Sequence, residues 1–417
     1  MLSRRSVLIT AAALATTSAC TAGPPVPSQQ STSSAPPRPS ATPTLGPKVK
    51  AEQFLDGLKV PRSIHAIDAQ RSLVVDQTGL VRVLQDGKLR TNPFLDIARG
   101  LIQPDEQSLE LGLTGFALDP QFDKSGVFFT LTTHSPEKGA EGKRVDMLMR
   151  WVADLDRMEA IVQPRDFMSI PYAELDHAGG GLLFDQEGNL LIGVGATTGD
   201  TKALDPNDRA GKILRIIPSN GETVPIFTVP DDNPFARGGG GRKEIYSMGY
   251  RNPFRMDWDD ELGLLVAEPM FREKNQQVSN PKPGDNSGYP SVAKGEMCWV
   301  EGQVSETCRI DAKGQAITPP VVEYGPEIGR IVSGVAAVRG PNALPFLADK
   351  VLVADWEGEL LVATPGAAPW SWQQLDTSEA ELTGTLWDLD TDADGNVYLM
   401  MTNDAMSSGS ILKLVAG

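Results

Sequence analysis

The sequence predicts an all-β chain folded as a six-bladed β-propeller, and three observations predict it. Helical periodicity is almost absent beyond the first twenty residues. Short apolar runs alternate instead with Asp- and Gly-rich turns, as in GLLFDQEGNLLIGVGA and LPFLADKVLVADWEGELLVAT, which is the pattern of antiparallel hairpins. Six such units recur, at a spacing of roughly 45 to 90 residues that suits four-stranded blades set around an axis. A pair of β-sandwiches, the main competing all-β arrangement, would not repeat one hairpin in this way.

The chain begins with MLSRRSVLITAAALATTSAC, a short basic region, an apolar run and small residues before a cysteine. This is a secretory signal and too short for a membrane span. Arg4 and Arg5 after Ser3 point to twin-arginine export, and Thr17-Ser18-Ala19-Cys20 resembles a bacterial lipoprotein cleavage site. Residues 1–20 are therefore expected to be a lipoprotein signal, with Cys20 lipidated and the chain held on the outer face of the cytoplasmic membrane. Residues 21–48 are almost all Pro, Ser, Thr, Gly and Ala, too poor in apolar side chains to offset their ordering entropy, and are expected to form an extended tether. The propeller is expected over 49–417. Its hairpins are SIHAIDAQRSLVVDQTGLVRVLQDG, GFALDPQFDKSGVFFTLTTH, the two quoted above, MDWDDELGLLVAEP and LWDLDTDADGNVYLMMTN. The last strand, SILKLVAG, is expected to pair near the start of the domain and close the ring.

A formal charge of −16 excludes a nucleic-acid partner, because a phosphate backbone would be repelled. Of three cysteines, Cys20 takes the lipid. Cys298 and Cys308, in CWVEGQVSETC, are expected to form a local disulfide in an exported chain.

The hairpins also carry an ordered set of motifs: GLKVPRSIHAID, LGLTGFALDPQF, DHAGGGLLFDQEGNLLIGVG, AGKILRIIP, DNPFA, EIYSMGYRNPFRMDWD and GDNSGYP. In this order they resemble the glucose/sorbosone dehydrogenase family, six-bladed propellers related to soluble quinoprotein glucose and aldose sugar dehydrogenases. The resemblance runs from about Ala51 to Gly417. It implies a pyrroloquinoline quinone on the axial face with Ca²⁺, a sugar above it, and a histidine that removes the C1 hydroxyl proton while hydride passes to the quinone.

Carried over position by position, His177 falls on the catalytic base and Asp176 on its acidic neighbour. Arg251 and Asn252, in GYRNPF, match the pair that contacts the quinone. Arg339, in AAVRGPN, falls near a cofactor-binding lysine, and Glu110 precedes GLTGFALDP where a cofactor-side Gln or Glu is common. Glu268, Pro269 and Met270 occupy the neighbourhood of the calcium-binding turn, where backbone carbonyls of any residue type can serve.

Four positions depart from the family pattern. The aspartate that orients the histidine falls on Ala196, with Thr197, Thr198 and Asp200 nearby as possible substitutes. The arginine four residues after the histidine is Gly181, and the Gly-Pro calcium turn reads AEPMFREKNQQ. Late arginines that bind cofactor carboxylates are replaced in GTLWDLD by Thr385 and Trp387; each lost charge-assisted contact costs roughly 1.5–3 kcal/mol. Trp387 could instead stack on a ring, or simply pack a blade. Two functions follow. One is an exported, lipid-anchored aldose dehydrogenase using the quinone and Ca²⁺; the other is a non-catalytic envelope lipoprotein whose axial face binds a small polar ligand or a protein partner.

Overall fold

A computed structural model of the protein describes residues 45–104, 109–134, 144–161, 163–172, 177–196, 200–219, 225–270, 275–290, 292–294, 297–300, 303–305 and 315–417. The expected signal, Cys20 and most of the tether lie outside the described residues. So do Asp176, Thr197, Thr198 and Cys308.

The fold is the expected six-bladed propeller. Six antiparallel sheets each begin with an inner strand: Pro61–Ala66, Leu113–Leu118, Gly179–Phe184, Arg255–Asp259, Val332–Val338 and Thr385–Thr391, for blades 1 to 6. Each inner strand touches the inner strands of both neighbouring blades, so the six form a closed ring around an axis. All six run the same way. Their first residues therefore define one face, called the upper face below, and their last residues the lower face.

Closure is made by the first strand. Val49–Leu58 joins blade 6 as its outermost strand, pairing antiparallel with Gly409–Ala416 from Val49↔Ala416 to Leu58↔Gly409. The two ends of the domain thus hold the same sheet, as the final strand of the sequence led one to expect. The tether's last residues are already engaged: Gly46 N–H donates to the Gln374 carbonyl at 2.7 Å, and Lys48 Nζ reaches Glu379 at 2.9 Å.

Stability comes from six wedges rather than one central core. Buried apolar clusters fill every blade interface, for example Leu73, Val75, Leu113 and Phe128 between blades 1 and 2. Leu191, Ile213, Leu264 and Val266 do the same between blades 3 and 4, and Val338, Leu352, Leu386 and Leu399 between blades 5 and 6. This explains runs such as LLIGV, whose five residues are all buried: a strand covered on both faces has no reason to alternate. Blade 4 carries an insertion between its third and fourth strands, a three-stranded sheet of Val292–Lys294, Met297–Val300 and Gln303–Ser305 that contains Cys298.

Candidate active site on the upper face

Blades 2, 3 and 4 bring seven of the expected site residues together, Pro269 and Met270 through their bonds to Arg251. Glu110 lies just before the inner strand of blade 2, and His177 just before that of blade 3. Arg251 and Asn252 precede the inner strand of blade 4, while Glu268 ends its second strand. All these positions are on the upper face.

Glu110 organises the group. One carboxylate oxygen accepts the backbone N–H of His177 at 2.7 Å and of Ala178 at 3.1 Å. The other accepts Asn252 Nδ2 at 2.9 Å, and Asn252 Oδ1 in turn accepts the Gly179 N–H at 2.9 Å. His177 has φ 69°, a left-handed conformation that few side-chain-bearing residues adopt and that needs such support. The glycines around it follow from crowding: a Cβ at Gly195 would collide with the His177 carbonyl oxygen. Asn252 is fully buried, so it serves as scaffold beneath the face.

The His177 imidazole has no hydrogen-bond partner among the described residues. Burial, reinforced by the positive charge of Arg251, lowers its pKa to about 3, so the ring is neutral at physiological pH. Ala196, where an orienting aspartate was expected, is 1 % exposed and packs with Ala203, Met270 and Tyr289. Its N–H donates to the Arg251 carbonyl at 2.8 Å. A small apolar cluster stands where a carboxylate would have to be.

Arg251 is fixed from two sides. Its backbone N–H donates to Glu268 Oε1 at 2.5 Å, and its Nη1 donates to the carbonyls of Pro269 at 2.9 Å and Met270 at 3.3 Å. Glu268 is fully buried, and its second oxygen accepts Gln277 Nε2 at 2.6 Å and Ser287 Oγ at 3.1 Å. Burial raises its pKa against these donors.

Arg339 does not join the site. It follows the inner strand of blade 5 on the lower face, where it binds Asp259 at 2.7 and 2.9 Å, Asp349 at 2.9 Å and Glu261 at 3.2 Å. The hydrogen bonds to Asp259 lead the upward shift of its pKa. The sequence match at AAVRGPN placed a charge correctly along the chain but at the wrong end of a strand.

Trp387 is buried, not displayed. Its Nε1 donates to Gln77 Oε1 at 2.8 Å, and it packs edge-on to Phe254 and against Trp356, Val60 and Met406. Beneath this cap lie two arginines that sequence reasoning passed over. Arg62 donates through Nε to the Thr114 carbonyl at 2.8 Å, and its guanidinium sits 4.8 Å from the Phe254 ring centre. Arg255 sits 4.0 Å from the same ring and pairs with Asp388, a cation–π arrangement strengthened by burial. Both lie on inner strands of mixed polarity, PRSIHA and RMDWD, so the strand pattern alone did not single them out. Arg62 also accounts for Gly180, where a Cβ would meet its Nη2 at 2.6 Å, while a Cβ at 181 would meet Met256 at 2.5 Å. Below them an axial cavity of about 260 Å³ opens among His65, Asp257, Trp258, Asp388 and Asp390.

Residues 58–413 match the family model described as Glucose / Sorbosone dehydrogenase. The chain belongs to the glucose/sorbosone dehydrogenase family. Over 123 residues it is 35% identical to the aldose sugar dehydrogenase YliI of Escherichia coli, a match covering 29% of this chain and 30% of that protein. Human Hedgehog-interacting protein is 23% identical over 393 residues, 87% of this chain and 52% of that protein. The chain thus spans about half, or less, of the length of these curated relatives. Among solved structures, the apo-form soluble aldose sugar dehydrogenase of E. coli superposes with a TM-score of 0.71 at 23% identity, covering 89% of this chain and all of that one. The PQQ-bound aldose sugar dehydrogenase of Streptomyces coelicolor gives 0.66 at 20% identity, covering 90% of this chain and 100% of that one. At such identities these likenesses establish the fold.

The glucose/sorbosone dehydrogenase family implies two groups, and the residues present treat them differently. For a planar anionic quinone the donor set fits: the Arg251 cation and a neutral imidazole share one face. For calcium it does not. Both Glu268 oxygens already accept hydrogen bonds, and the Pro269 and Met270 carbonyls already accept Arg251 Nη1.

Proposed function

We propose that this propeller is an aldose dehydrogenase of the quinone-dependent kind. The observation that supports it is the meeting of His177 and Arg251, from two different blades, on one upper face. Arg251 would hold the quinone, a role suited to a guanidinium with five donors in a rigid fork. When bound, the quinone supplies the two-electron acceptor for the hydride of the sugar C1. His177 takes the C1 hydroxyl proton on its ring; burial and Arg251 lower its pKa to about 3, which keeps the imidazole in its neutral, proton-accepting form at pH ~7. Its low pKa makes it a weak base, which limits the driving force for proton transfer. Glu110 and Asn252 hold the His177 backbone and are positioning residues.

One set of observations favours the second reading, a non-catalytic propeller that binds a sugar or a protein on the same face. Ala196 and its apolar neighbours put no orienting carboxylate at that position, and among the described residues the imidazole has no other; a base with no partner loses its preferred tautomer. Titration of the purified domain with pyrroloquinoline quinone, followed by aldose-dependent dye reduction, separates the two. Quinone binding with turnover that His177→Ala abolishes supports the dehydrogenase; ligand binding without turnover supports the binder. We further propose that Cys20 carries a lipid that holds the chain on the outer face of the cytoplasmic membrane. Metabolic labelling with a tagged fatty acid should mark the wild type and spare Cys20→Ser.

A further inference from the structure

We propose that the Arg251 guanidinium takes the place of a divalent cation at the Pro269 and Met270 carbonyls, so that this propeller engages its quinone without calcium. The second half rests on the function proposed above; the first half stands on the geometry alone.

Ca²⁺ takes six to eight oxygen ligands, commonly with carboxylates among them. Here the turn after Glu268 offers two buried residues, Pro269 and Met270, whose carbonyls both face Arg251 Nη1, at 2.9 and 3.3 Å. Among the described residues the carboxylate beside this turn is Glu268, which is fully buried, and its two oxygens are taken by the Arg251 N–H, Gln277 Nε2 and Ser287 Oγ. Among the described residues, no three His, Cys, Asp or Glu side chains converge to hold a metal. A metal ion entering between the carbonyls would meet a fixed positive charge in a low-dielectric setting, where repulsion is strongest.

The turn is also held from behind, so the arrangement does not depend on Arg251 alone. Gln276 Oε1 accepts the Met270 N–H at 3.1 Å and the Val332 N–H at 3.3 Å, tying the turn to blade 5. The Arg251 carbonyl accepts the Ala196 N–H from blade 3. Three blades thus fix a guanidinium against two carbonyls. Electrostatically this does what a metal would do at that point: it neutralises the carbonyl dipoles and presents positive charge to an anionic ligand on the upper face. It is a permanent charge that no chelator can remove.

The test is a calorimetric titration of chelator-treated mature protein with CaCl₂, beside quinone binding followed by tryptophan fluorescence in EGTA and in calcium. The wild type should give no binding isotherm and no thermal shift with calcium, and quinone affinity should be equal in the two buffers. Arg251→Ala, checked for folding by circular dichroism, frees only the Pro269 and Met270 carbonyls, so it should gain weak calcium binding with water completing the shell, and recover part of its lost melting temperature when calcium is added in excess. Arg251→Lys, which keeps the charge, should remain insensitive to calcium. Stoichiometric calcium binding by the wild type, or a folded Arg251→Ala protein that takes up none, overturns the substitution. Quinone affinity that collapses in EGTA overturns the calcium-free engagement. Failure to bind quinone in either buffer overturns the proposed function instead, while the calcium titration decides the substitution on its own.

Discussion

Asn252 donates its side-chain amide to Glu110 at 2.9 Å across 142 residues of chain, and the same carboxylate holds the N–H groups of His177 and Ala178. Three blades therefore meet at one side chain. The left-handed turn at His177 exists because Glu110 supplies acceptors to two consecutive amides.

Glu110→Ala removes three charge-assisted hydrogen bonds at once and leaves two inward-facing N–H groups without acceptors. The expected loss is about 2–4 kcal/mol of unfolding free energy, discounted for the partial exposure of the carboxylate. Glu110→Gln keeps the acceptor for His177 and Ala178 but presents an NH₂ to Asn252, and should lose about 1–2 kcal/mol. Denaturant unfolding checks both. Equal stability of Glu110→Ala and wild type would show that the turn is held by other contacts.

The neutral state of His177 has a measurable signature. Its folded pKa of about 3 lies below the unfolded value of about 6.5, so between these two the unfolded chain binds more protons. Stability should accordingly fall as pH drops from about 6.5 toward 3, and His177→Asn should flatten part of that fall. The chain has only three histidines, so imidazole resonances can be assigned by single replacements. His177 and His65, the latter lowered to about 4 by burial, should both remain unprotonated at pH 5, read by proton–carbon NMR. A midpoint near 6.5 for His177 would mean that the ring is solvated.

Asp146 titrates in the opposite sense. It is 1 % exposed, accepts one hydrogen bond from Thr133 Oγ1 at 2.9 Å, and has its Oδ2 buried without a partner among the described residues. Burial raises its pKa to about 7, above the unfolded value of about 3.9. Its contribution is fully present below pH ~4 and is lost as pH rises through about 7. Asp146→Asn keeps the Thr133 contact and cannot ionise, so it should be more stable than wild type at pH 8 and nearly equal to it at pH 4. Unfolding curves at the two pH values decide it; a variant less stable at pH 8 would show that the carboxylate is ionised and stabilising.

The ring was legible in the sequence because each hairpin states its own turn and the middle strands, such as LLIGV and VYLMMT, are apolar and buried on both faces. The Glu110, His177, Arg251 and Asn252 group was legible only through motif order, since the contacts that unite it run between blades and leave no periodic trace. Arg339 shows where that route stops: a charge one residue past a strand end lies on the lower face, and linear distance to a motif carries no sign for which end. Trp387 was ambiguous for a related reason. An inner-strand tryptophan reads alike whether it faces solvent or a neighbour, and here Gln77, Phe254 and Trp356 enclose it. Arg62 and Arg255 were not legible because the groups that pair with them lie far along the chain, the Thr114 carbonyl for Arg62 and Asp388 for Arg255, while the ring that both face is Phe254.

Ala196→Asp asks whether the missing carboxylate can be restored. The site is 1 % exposed and packed by Ala203, Met270 and Tyr289, so the new group must enter a space with no room and few donors. Overpacking and charge burial together should cost about 2–4 kcal/mol of stability. The Ala196 N–H bond to the Arg251 carbonyl survives, because it uses the backbone. If position 196 faces the imidazole, the new negative charge favours the protonated ring, and the His177 midpoint should rise from about 3 toward the ordinary range. The same NMR titration reads the midpoint while denaturant unfolding reads the cost. A folded Ala196→Asp protein whose His177 midpoint does not move would show that residue 196 does not face the ring, and that the orienting carboxylate of the family has no counterpart at this position.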